Sequence, residues 1–151
     1  MAHTPVNHPA RPIYRAIGGL IGLYLVIFGV LGFFASAGDP FFGQGDTRVL
    51  GQGTNLGLSL LSLIFGAAVL AGTAIGRNLD VLINQWSAYL IMVVSLGGLA
   101  FIRTEANIFN FSVATVVVLM LLSLTLLMAG MYSKVGTDEE HEAWQKARLV
   151  L

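Results

Sequence analysis

Hydrophobic residues along the chain are gathered into four long runs, separated by short polar segments. The runs are residues 16–37, 55–75, 82–102 and 108–132, and none contains Asp, Glu, Lys, Arg or His. Each approaches or exceeds the roughly 20 apolar residues that a helix needs to cross a bilayer. Because lipid offers the backbone no water, we expect each run to form a helix. The pattern predicts an all-α fold in which residues 16–132 form a four-helix transmembrane bundle.

The two ends of the chain differ from these runs. Residues 1–15 contain three prolines, which predicts an extended segment. Residues 133–151 are polar, and Thr137 followed by Glu140 matches a capping box that opens a short C-terminal helix. Trp144, Ala147 and Leu151 share one face of this amphipathic helix. We expect it either to lie on the cytoplasmic membrane surface or to dock to a partner protein.

Basic residues predict the orientation. Arg48 and Arg103 fall on one side of the predicted spans, whereas six basic residues fall on the other: Arg11, Arg15, Arg77, Lys134, Lys146 and Arg148. Cytoplasmic loops carry the excess of Lys and Arg. We therefore expect a multi-pass protein of the bacterial plasma membrane with both termini in the cytoplasm.

Glycines mark two of the four runs. The first run carries Gly18, Gly22, Gly29 and Gly32 on one helical face, and the third carries the pair Gly97 and Gly98. Glycine in a helix costs roughly 1 kcal/mol relative to alanine in water. In a membrane, small residues instead let two helix backbones approach closely. These six positions are the predicted helix-packing residues.

The two halves of the chain resemble each other. Each half has a glycine-bearing helix, an outward connection and then a helix opened by an asparagine, Asn55 or Asn107. This indicates a parallel two-helix repeat. A polar outer-end cluster is predicted from Asn55, Ser59, Asn107 and Asn110. The two helix-opening asparagines either cap their own helices or form a hydrogen-bonded pair between helices.

The amino-acid composition limits the kinds of chemistry and ligand that the chain can support. The chain is 56% hydrophobic and 11% charged, with a mean hydropathy of +0.78, whereas soluble domains average about 25% charged. Eight basic and eight acidic residues cancel, so no net charge favours nucleic acid. With no cysteine and no ionisable residue in the runs, we predict no catalytic residues, no metal site and no cofactor. His3 and His8 lie in the N-terminal segment without further ligands nearby.

Motifs between residues 14 and 132 resemble a family of small four-helix membrane proteins, common in actinobacteria and known only as a domain of unknown function. The resemblance lies in Gly29 to Phe33 at the end of the first run and in the asparagine-led openings at Asn55 and Asn107. It implies the same four-helix fold. Leu58, Ser62 and Asn110 stand where that family usually carries histidines, so any role of those histidines is not implied for this chain.

The function we expect from the sequence is non-enzymatic. Glycine faces, no ionisable group within the runs and free termini suit an accessory subunit that packs against larger integral membrane proteins. A respiratory or other energy-converting complex is one such setting, and membrane lipids are the other expected partner. The alternative is a small transporter or channel for an uncharged or lipidic molecule, with Asn55, Ser59, Asn107 and Asn110 at its outer mouth.

Overall fold

The computed structural model describes residues 4–148, and it confirms an all-α fold built on a four-helix bundle. All four long helices are long and apolar enough to cross a membrane, which identifies a multi-pass membrane protein. A two-stranded antiparallel hairpin lies between the first two helices. The elements are α1 (Arg11–Ala35), β1 (Arg48–Val49), β2 (Gln52–Gly53), α2 (Leu56–Ile75), α3 (Leu79–Phe101), α4 (Val113–Tyr132) and α5 (Asp138–Arg148).

The four long helices pack as two hairpins. Helix α1 packs most extensively on α2, and α3 on α4, while contacts of α2 with α3 and of α1 with α4 close the bundle. One end holds the N-terminal segment, the α2–α3 turn and the segment after α4, and we call it the termini side. The other end, the loop side, holds residues 36–55 and 102–112. This arrangement is the one that a parallel two-helix repeat requires.

The glycine face of α1 packs mainly on its own neighbour α2. A Cβ added at Gly66 of α2 would lie 2.7 Å from the carbonyl oxygen of Gly22 and from the amide nitrogen of Val26. A Cβ at Gly29 would lie 2.7 Å from the carbonyl oxygen of Ser59, and a Cβ at Gly32 would clash with the Ser59 side chain. The two backbones are therefore too close for side chains at these positions.

The two glycines of α3 have different environments. A Cβ at Gly98 would lie 2.7 Å from the ring of Phe111, so this residue packs closely. A Cβ at Gly97 would meet nothing within 4 Å. Gly97 of the predicted packing set therefore has no close neighbour within the bundle, and its role in helix packing stays a prediction. Neighbouring positions on a helix point about 100° apart, so only one of the pair faces the interior.

Three helix starts differ from the predicted spans. Helix α1 already begins at Arg11, because Pro12 occupies its first turn, where a missing N–H costs nothing. Helix α3 begins at Leu79, three residues before the predicted span of residues 82–102. Helix α4 begins only at Val113, where Ser112 and Thr115 form a capping box. Asn107 therefore lies in the preceding loop and does not cap α4.

Candidate functional site

A buried cluster of charges joins the helices on the termini side. Its centre is Asp80 in the first turn of α3, whose side chain is 0% exposed. Asp80 Oδ2 lies 3.1 Å from Arg15 Nε and 3.5 Å from Arg11 Nη2, both from α1. The arginine side chains are 21% (Arg11) and 29% (Arg15) exposed. One carboxylate is thus shared by two cations that reach solvent at their edges.

The same arginines also bind the C-terminal ends of two other helices. Arg11 Nε donates to the carbonyl oxygen of Ser133 at 2.8 Å, and Arg15 Nη2 donates to the carbonyl oxygen of Thr73. Cations at helix C-termini and an anion in a first helical turn both match the helix dipoles. The cluster therefore connects α1 to α2, α3 and α4 at one level of the bundle.

This charged cluster contradicts the prediction that the spans contain no ionisable group. The hydrophobic pattern placed Arg11 and Arg15 before the first span and Asp80 before the third. Because α1 and α3 begin earlier, all three residues lie within helices, and Asp80 is fully buried. The available signal was the four-residue spacing of Arg11 and Arg15, which places two cations on one helical face.

Next to the charged cluster, several buried polar atoms have no hydrogen-bond partner. They are Nδ2 and Oδ1 of Asn84, Oδ1 of Asp80 and Oγ1 of Thr73. Asn84 is 0% exposed, and its Nδ2 would lie 2.9 Å from a Cβ added at Gly18. A buried unsatisfied polar group costs about 1–3 kcal/mol. Gly18 of the predicted packing set thus faces a carboxamide of α3 rather than α2.

Asn55 organises a second polar group of residues, on the loop side. Its Oδ1 accepts from the amide N–H of Leu58 at 3.0 Å, which makes Asn55 the N-cap of α2. Its Nδ2 donates to the carbonyl oxygens of Ile108 (2.7 Å) and Gly43 (3.0 Å). One side chain therefore joins the start of α2 to both loops.

The remaining members of the predicted outer-end cluster are also bonded. Ser59 donates to the carbonyl oxygen of Asn55 at 2.7 Å, and Asn110 Nδ2 donates to that of Thr54 at 2.8 Å. Asn107 both accepts from and donates to the backbone of Phe111, at 2.7 and 2.9 Å. The structure thus gathers all four residues at the loop side.

The carboxamides on the loop side bind mainly to backbone groups. In the described chain, Asn55 and Asn107 do not bond to each other, so the predicted pair between helices is absent. An open pocket of about 540 Å³ lies above, between residues 39–48 and the side of Asn55 and Asn110. The polar groups below this pocket are already hydrogen-bonded within the protein. The loop-side residues therefore hold the two loops together.

The C-terminal helix opens with the predicted capping box. The amide N–H of Glu140 donates to Thr137 Oγ1, and that of Thr137 donates to Glu140 Oε2, both at 3.2 Å. Trp144 is half-buried, with its ring stacked on His141 at a centroid distance of 6.0 Å. Ala147 is exposed, and Leu151 lies outside the described residues. The predicted docking face is therefore seen only in part.

Comparison with known proteins finds no matching family model, no matching curated protein and no matching solved structure. The resemblance carried by Gly29–Phe33, Asn55 and Asn107 thus stays a prediction. Within residues 4–148, no three His, Asp or Glu side chains come together as a metal site. The ring of His8 packs edge-on against Tyr14 and Tyr132, whose rings stack on each other. Fold and site together define the chain as a four-helix multi-pass membrane protein with a buried polar group of residues at each end.

Proposed function

We propose that this protein is a non-enzymatic accessory subunit that packs against a transmembrane helix of a larger integral membrane protein. A respiratory or other energy-converting complex of the bacterial plasma membrane is the setting we propose. The glycines of α1 are occupied by contacts within the bundle, so they are not offered to a partner. The binding surface has to lie elsewhere on the bundle.

The observation that carries this proposal is an apolar groove on the lipid-facing side of α3. It has a volume of about 280 Å³, and Gly97 and Gly98 are among the residues that line it. Its other lining residues are Val94, Phe101, residues 106–109 and Phe111. Nothing lies within 4 Å of a Cβ added at Gly97, so a side chain from another helix fits against it. A flat lipid-facing helix would not need such a recess.

The orientation we propose rests on the charges of the two ends. Arg11, Arg15, Arg77 and Lys134 lie on the termini side, whereas Arg48 and Arg103 lie on the loop side. The positive-inside rule then favours a cytoplasmic termini side. A reporter enzyme fused after residue 151 tests this, and activity only outside the cell would contradict it.

The test of the accessory role compares two substitutions that each place a leucine on the lipid-facing surface. Gly97→Leu fills the groove, whereas Ala71→Leu adds the same side chain to an exposed position of α2. Tagged proteins are purified from native membranes in mild detergent, and co-purifying membrane proteins are quantified by mass spectrometry. We expect a defined set with the unsubstituted protein and with Ala71→Leu, and its loss with Gly97→Leu.

Two results would contradict the accessory role. One is recovery of the protein alone from membranes that contain its natural neighbours. The other is the same set of proteins with Gly97→Leu as with Ala71→Leu, because binding would then not use the groove. Monodisperse elution of both variants shows that neither has lost its fold.

A further inference from the structure

We infer that the termini side of the bundle opens and admits water to Asn84 and Asp80. The starting observation is that both amide atoms of Asn84, one carboxylate oxygen of Asp80 and the hydroxyl of Thr73 have no hydrogen-bond partner. All of these atoms are buried next to the charged cluster. Polar groups of this kind are normally bonded to protein or to ordered water. Water is therefore the ligand whose chemistry fits this mixture of donors and acceptors.

The closed packing has no room for that water. Asn84 and Asp80 are both 0% exposed, which means that no water-sized probe reaches them. Asn84 is also enclosed by two glycines, with Gly18 of α1 on one side and Gly130 of α4 on the other. A water molecule needs a space of about one probe sphere. Hydration of Asn84 thus requires a helix to move.

The helix that moves relative to α3 is α1, because α1 and α3 share few contacts besides the arginine ion pairs. Asn84 belongs to α3, which packs extensively on α4, whereas α1 packs mainly on α2. At Gly18, α1 offers no side chain to hold α3. The arginines that join α1 to Asp80 have long, flexible side chains, so the ion pairs persist while the backbone shifts. Both arginines are partly exposed, which places the entrance on the termini side.

Further penetration is blocked by an apolar layer in the middle of the bundle. Leu25, Ile91 and Leu119 are buried there and line a cavity of about 20 Å³, whose other lining residues are apolar except for Ser62. Ser87 lies on the termini side of this layer, three positions after Asn84 on the same face of α3. Ser95 lies on its far side. Water that enters should therefore reach Ser87 and not Ser95.

The natural chain has no cysteine, so single cysteines report access without background. Ser87 is 5% exposed and Ser95 is 0% exposed in the closed bundle, and both tolerate a cysteine of similar size. Ser87→Cys and Ser95→Cys are reacted with N-ethylmaleimide in native membranes. We expect Ser87→Cys to react at least about tenfold faster, and Asn84→Leu in the same chain to slow that reaction by a similar factor.

Equal reaction rates of Ser87→Cys and Ser95→Cys would overturn the inference, as would a Ser87→Cys rate unaffected by Asn84→Leu. A second measurement uses the unsubstituted protein with asparagine side chains labelled by ¹⁵N in lipid bilayers. Magnetisation transfer from water should reach the Asn84 amide group faster than that of Asn55, which is buried but bonded to protein. Equal transfer to the two would overturn the inference independently.

Discussion

Replacing Gly29 by alanine tests how closely α1 and α2 approach. The new Cβ would lie 2.7 Å from Leu63 Cγ and from the carbonyl oxygen of Ser59, and 2.8 Å from the amide nitrogen of Leu63. Two of these atoms are backbone, so no side-chain rotation relieves the contact. The helices must separate by about 0.7 Å to restore ordinary carbon contacts. Overpacking of this kind costs about 1–3 kcal/mol.

Gly97→Ala is the matched control, because it adds the same methyl group to a helix where nothing lies within 4 Å. Alanine also improves helix propensity at both positions by about 1 kcal/mol, so the two variants differ only in packing. Unfolding in mixed micelles of increasing SDS fraction measures both. We expect Gly29→Ala to be less stable than Gly97→Ala by about 1–3 kcal/mol. Equal stabilities would refute the close packing of α1 on α2.

Two further substitutions test the polar groups of residues at the two ends of the bundle. Asp80→Asn leaves Arg11 and Arg15 without their anion. Removing one partner of a buried ion pair costs about 3–5 kcal/mol of folding stability. We expect about half of that for Asp80→Asn, because both arginines are partly exposed. An unchanged SDS unfolding midpoint would contradict the role of Asp80. Asn55→Ala removes the cap of α2 and the donor to Ile108, and should cost about 2 kcal/mol in the same assay. A loss of folding stability below about 0.5 kcal/mol would mean that the hydrogen bonds of Asn55 contribute no more than an ordinary surface contact.

The apolar runs of the sequence were sufficient to predict four helices and their order, because a bilayer accepts few other structures. They were insufficient for the helix ends. Asp80 and Arg15 are polar, so hydropathy excluded them from the spans, although they form an ion pair with each other across the sequence. Asn107 was predicted to open α4 from its position before an apolar run, whereas Ser112 does so. Local pattern does not show which of two capping residues the loop geometry favours.

The glycines illustrate the same limit. Their spacing indicated close packing but did not identify the neighbour, since α1 presents the same face whatever lies against it. The structure places Gly22 against Gly66. The two glycines carried no signal as a pair, because they lie 44 positions apart in the sequence and look like ordinary membrane-helix glycines. The sequence also did not show that Gly97 has no close neighbour, because the adjacent Gly98 lies in the same sequence context.

The distribution of contacts along the chain sets an order for assembly during synthesis. The backbone contacts of Gly22 and Gly29 are made with α2, so the first hairpin can close as soon as its second helix has entered the membrane. Arg11, in contrast, reaches its carboxylate partner across 69 positions of sequence. Until α3 arrives, Arg11 lacks its carboxylate partner, whereas Arg15 can already donate to the carbonyl oxygen of Thr73 in α2. Insertion of α3 therefore brings Asp80 to the arginines and joins the completed first hairpin to the second half of the chain.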